Sequence, residues 1–135
     1  MKVLIHQSLV DNFSDDRMIL LSHYAKYCVR ALDLYETVDV IWIVDNRKKY
    51  EIETTGSYSP DENSVYIYGK GRAFVDILRS ISHELVHVKQ NEAGFSKEHD
   101  LLHFDSELED EANMFGMSLL NAYSEVMGHD IIYDN

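Results

Sequence analysis

Two histidines four residues apart, with a glutamate directly after the first, constrain this chain more than any other feature: His83-Glu84-Leu85-Val86-His87. On an α-helix, residues four apart lie roughly 40° apart around the axis and about 6 Å apart along it, so both imidazoles can reach one ion. Glu84 points about 100° further round. That direction suits a general base beside a metal-bound water better than a third ligand. The same five residues would also serve as two half-buried polar side chains and a solvated charge, so their surroundings must decide.

Those surroundings are helical. Phe74, Ile77, Leu78, Ile81, Leu85 and Val88 recur at three- and four-residue spacing and predict a helix of about five turns over residues 71–90. His83 and His87 fall beside the apolar stripe, at the border of core and solvent, where a metal site can be both fixed and open. Asn91, Glu92 and Gly94 supply the stop. H-E-x-x-H in such a setting points to zinc-dependent peptide hydrolysis.

A catalytic zinc normally takes three protein ligands and leaves a fourth position for water. The third ligand is expected from Glu109, which opens the run Glu109-Asp110-Glu111-Ala112-Asn113 in a second periodic segment where Leu108, Ala112, Phe115, Leu119, Tyr123 and Val126 share a face. Asn113, four residues on, would accept the remaining ring N–H of one zinc histidine and so orient it. Ser106-x-x-Glu109 also matches a capping box, and the acidic run 105–111 suits a helix start. Glu107 and Glu111 therefore stay open as rival ligands.

The choice of Glu109 rests partly on resemblance. H-E-x-x-H followed by Glu109-Asp110-Glu111-Ala112-Asn113 is similar to the gluzincin metallopeptidases, in which a downstream helix lends a glutamate to the zinc. The segment EDEANMFGMSLL, residues 109–120, resembles the second helix of anti-repressor peptidases of the ImmA/IrrE type. The short chain, with a strand just ahead of the active helix, resembles the minigluzincins. The likeness spans residues 64–120, with Val86 and Gly116 standing where relatives usually carry glycine and alanine. It implies a zincin-like fold with one catalytic Zn2+ held by His83, His87 and Glu109. Glu84 would then take a proton from a zinc-activated water and pass it to the leaving amine. Spacing assigns no donor for the oxyanion; His99, His103 and Tyr123 are the side chains considered for it.

The chain has 135 residues, 45% of them hydrophobic, which fits one domain over residues 1–135 with a single core. A formal net charge of −12 argues against nucleic acid as a partner, since phosphate neutralisation needs clustered cations. Arg47, Lys48 and Lys49 form only a small basic knot beside an expected turn. Cys28 shares a helical face with Met18, Leu21, Ala25 and Leu32 and is expected in the core, and one cysteine allows no internal disulfide. Neither a secretion signal nor an apolar run of roughly 18–20 residues is present, so the expectation is a soluble cytoplasmic protein without a membrane partner.

The expected order is a strand over 2–7, a helix over 15–35 capped by Ser14, strands over 38–44, 50–55 and 64–69, the metal helix, a loop over 91–104 that could cover the site, and the second helix. This is an α+β domain with a mixed or antiparallel sheet of three to four strands. The sheet packs against an N-terminal helix, the H-E-x-x-H helix and a C-terminal glutamate-bearing helix. Residues 64–69 are expected either as an edge strand, with Val65, Tyr66, Ile67 and Tyr68 binding a peptide or protein substrate by backbone pairing, or as an ordinary sheet member with Tyr66 and Tyr68 on its solvent face. The functional expectation is a zinc-dependent endopeptidase. The alternative is a non-catalytic or latent binding module that keeps the fold.

Overall fold

A computed structural model describes residues 1–34, 37–94 and 103–133 of the chain. Helix α1, Asp15–Leu32, starts as expected: the Ser14 hydroxyl accepts from the Arg17 N–H at 3.3 Å, and Asp15 and Asp16 sit at the positive end of the helix dipole. Asp33 closes it in the left-handed region at φ 56°. Cys28 is buried on the inner face of α1, where loss of hydration pushes its thiol up to about 12.

Strands β1 (Lys2–Ile5), β2 (Val40–Val44), β3 (Gly56–Ser59) and β4 (Ser64–Tyr68) form a mixed sheet in the order β1-β2-β4-β3. β2 pairs in parallel with β1 on one side and β4 on the other, and β3 pairs antiparallel with β4. Ile41, Ile43 and Val44 are completely buried, which is why the near-continuous apolar run occupies an inner position. The result is an α+β architecture, and among the described residues no helix is long and apolar enough to cross a membrane.

Two strand expectations are corrected. Residues 50–55 form turns and bends, because Glu51 adopts φ 56° and only Ile52 among them turns inward to be buried. Residues 64–68 are not an edge. β4 has hydrogen-bonded neighbours on both sides, so Val65, Tyr66, Ile67 and Tyr68 present no unpaired backbone to a substrate. Val65 and Ile67 are buried in the core; on the other face the Tyr66 hydroxyl donates to Glu62 at 2.6 Å and Arg47 covers the Tyr68 ring at 4.2 Å. The edge on this side of the sheet belongs to β3, folded back along β4 by the turn Pro60–Glu62 and by Asn63 at φ 50°, and the opposite edge is β1.

Helix α2, Phe74–Glu92, carries the H-E-x-x-H residues. The predicted stripe Phe74, Ile77, Leu78, Ile81, Leu85 and Val88 is at most 3% exposed. Each such burial contributes about 1.5–3 kcal/mol, which fixes the helix firmly against its neighbours. Ser80, Ser82, Glu84, Val86 and Gln90 are buried as well, because α2 lies between the sheet and α1 on one side and α3 on the other. It ends at Ala93, followed by Gly94 at φ 91°.

Helix α3 spans His103–Met127 and is followed by the short α4, His129–Tyr133. Because α3 begins before Ser106, that serine is not a cap and the capping-box alternative is overturned. Glu109 is an interior helical residue whose side chain projects from the helix flank. The buried row of α3 steps by four, Leu108, Ala112, Gly116, Leu120 and Ser124. Such a row drifts around the helix by about 40° per step, the geometry of ridge-into-groove packing. It leaves behind the side bearing Phe115 and Val126, which are 50% and 81% exposed against expectation.

Candidate metal centre

The small residues of the α3 row bring the site together. A Cβ built on Gly116 would lie 3.2 Å from the His83 backbone nitrogen and 3.4 Å from its Cα, so the missing side chain lets α3 cross directly against the α2 backbone at His83. Two turns earlier on α3, Glu109 reaches both histidines. Its two carboxylate oxygens lie 3.1 Å from His83 Nε2 and 3.0 Å from His87 Nε2, and the two Nε2 atoms are 3.2 Å apart.

These separations match a metal ligand set. Ligands bound tetrahedrally at about 2.0–2.2 Å stand about 3.3–3.6 Å from one another; the two imidazole nitrogens, 3.2 Å apart, are near that spacing, and one donor atom from each of the three residues lies within 4.8 Å of the other two. His83, His87 and Glu109 are thus positioned to hold a metal ion. Their donors, two imidazole nitrogens and a carboxylate oxygen, fit zinc. The rivals are placed elsewhere: Glu111 accepts from the Gln90 amide at 2.9 Å, and Glu107 is exposed.

Gln90, one turn beyond His87 on α2, orients the deeper ligand. Its NH2 group donates to the Leu108 carbonyl and to the Glu111 carboxylate, both at 2.9 Å. Two acceptors facing that end of the amide turn Oε1 the other way, to His87 Nδ1 at 2.8 Å. The proton of His87 therefore sits on Nδ1, and the lone pair of Nε2 faces His83 and Glu109. Asn113, expected in this role, is exposed and lines the cavity outside the ligand cluster. Gln90→Met keeps the length and removes the hydrogen bonds; if the cluster holds zinc, the affinity measured by competition with a chelating dye is expected to fall about 10–100-fold.

Glu84 is buried to 6% exposure beneath the edge strand. A Cβ on Gly56 would come within 2.6 Å of Glu84 Cγ and 3.1 Å of its Oε1, so β3 closes over the glutamate only because residue 56 is glycine. Gly56→Val is expected to push the Glu84 side chain aside while the ligand cluster stays intact. If Glu84 works as a base, turnover should then fall on the order of a hundredfold with zinc content unchanged, measured together on the same purified protein.

Beside the ligand cluster lies a cavity of about 350 Å³. His83 and Glu109 form one wall, with Ala112, Asn113, Gly116 and Met117 of α3; Thr54, Thr55, Arg79 and Ser80 form the rest. The site thus opens to solvent on the side of His83 and Glu109, while His87, whose side chain is 10% exposed, lies deeper. Tyr123 does not reach it: its hydroxyl shares a 2.5 Å hydrogen bond with His23, and its ring packs on Tyr24 and Tyr27. Burial, with Cys28 near by, pushes this phenol up to about 12. His99 lies outside the described residues, as does most of the segment considered as a cover.

Comparisons with protein-family models, with curated proteins and with solved structures each return no match.

Proposed function

We propose that the chain is a zinc-dependent endopeptidase of the gluzincin type, with a zincin-like fold. One observation carries the reading: two imidazole nitrogens and one carboxylate, from two helices, converge to within 3.0–3.2 Å while a buried glutamate stands next to the first histidine. When bound to His83, His87 and Glu109, zinc would supply Lewis acidity, acidifying water and polarising a peptide carbonyl.

Glu84 does the proton work. Its carboxylate takes the proton of the attacking water and returns it to the departing amine nitrogen, so one group serves as base and then as acid. Burial under Gly56 holds it in place and keeps bulk water away. Gln90 holds His87 in the tautomer that leaves Nε2 available. The substrate lies along β3, the edge strand beside the cavity, whose outer backbone groups offer hydrogen bonds to an extended peptide. β3 thus takes the substrate-pairing role expected of residues 65–68, which lie in an inner strand.

The test is cleavage mapping on a peptide library. Zinc-loaded protein is expected to cut peptides, to stop on addition of a chelator, and to recover on readdition of zinc. A library left uncut by zinc-loaded protein would refute the proposal.

A further inference from the structure

Among the cavity-lining residues, Arg79 is the one permanent cation. It stands one helical turn before His83, about 6 Å along α2, a distance of roughly two residues of an extended peptide. One guanidinium N–H engages Asp76 at 2.9 Å, in an exposed pair three residues apart whose side chains are 42% and 43% accessible. Such a contact is weak and readily exchanged. Among the described residues Asp76 is the one side-chain partner of the guanidinium, whose fork carries five N–H donors. Thr54 and Thr55, two hydroxyl-bearing residues just ahead of edge strand β3, belong to the same lining.

From this arrangement we infer that Arg79 is a specificity-determining residue. With Thr54 and Thr55 it forms a subsite for a carboxylate within about two residues of the scissile bond. The inference rests on the proposed peptidase reading. A planar guanidinium matches a carboxylate with two parallel hydrogen bonds, which a lysine could not reproduce. Most of the acidic groups behind the −12 charge of the chain are screened beyond about 8 Å at physiological salt, so an anionic group in the cavity meets mainly the charges on its lining, Arg79 and the Glu109 carboxylate of the ligand cluster. The carboxylate has two possible sources, an aspartate or glutamate side chain of the substrate or the substrate's free C-terminus.

Paired peptides separate them: one set exchanges Asp/Glu for Asn/Gln near the cleavage point, and another exchanges a free C-terminus for an amide. The readout is the ratio of kcat/KM between members of each pair, for zinc-loaded wild type, Arg79→Gln and Arg79→Glu. In parallel, the affinity of the same peptides for zinc-loaded Glu84→Gln, with and without Arg79→Gln, is measured by fluorescence anisotropy. Wild type is expected to favour the carboxylate member in one set, which identifies the source. Arg79→Gln should shrink that ratio about 10- to 100-fold, mainly through KM, and Arg79→Glu should reverse it. A ratio that Arg79→Gln leaves unchanged, including one where all peptides slow alike, overturns the subsite while the peptidase reading stands. Absence of cleavage together with Arg79-dependent carboxylate binding would keep the subsite and defeat the peptidase reading. Absence of both would defeat the two together.

Discussion

Replacing His83 or His87 with alanine is expected to abolish stoichiometric zinc binding and, with it, all peptide hydrolysis. On the proposed reading, little else would hold the ion. Removing either imidazole leaves one nitrogen and one carboxylate, and Gln90 can orient only His87. Because an ion that binds only the folded chain stabilises it by mass action, wild type should gain about 4 kcal/mol at a free zinc concentration a thousand times Kd. Thermal unfolding with and without zinc checks this. Wild type should show a zinc-dependent rise in Tm, and the alanine variants none. Equal rises in wild type and both variants would mean that zinc binds elsewhere.

Glu84→Gln is expected to do the opposite to the metal and the same to the chemistry. The amide has the size of the carboxylate and fits beneath Gly56, and the residue is not one of the converging ligand groups. Zinc should therefore remain bound. Glutamine cannot accept a proton from water, so kcat should fall about 10²–10⁴-fold, the usual contribution of a positioned base. Metal content and turnover measured on the same sample give the answer; a Glu84→Gln protein that kept wild-type turnover would remove Glu84 from the mechanism.

Much of this architecture was legible from spacing. The apolar stripe of α2 predicted both the helix and its buried face, and the Ser14 cap and the Gly94 stop were read from residue types with direct backbone consequences. Glu109 was found because the downstream acidic run sits on a periodic segment, with family resemblance narrowing the choice.

What escaped depended on three-dimensional neighbours. The strand at residues 56–59 is short and half-buried, so it carries weak alternation, and the stronger apolar run at 64–68 was offered as the edge although it became an inner strand. Gln90 shares a helix with His87 at a spacing that was readable in advance. Its role nevertheless required knowing that Leu108 and Glu111 would claim its amide. Gly56 and Gly116 matter through the volume of a missing Cβ against Glu84 and His83, a quantity no local pattern encodes. Phe115 and Val126 share a face with the buried residues in a strict helical pattern but are exposed, because the buried row of α3 drifts by fours.

The most direct test is a crystal structure of zinc-reconstituted protein with anomalous data collected at the zinc edge. One strong peak is expected at about 2.0–2.2 Å from His83 Nε2, His87 Nε2 and a Glu109 carboxylate oxygen. A crystal grown with excess zinc that shows no peak among these three side chains, or a peak held by other residues, would contradict this ligand set.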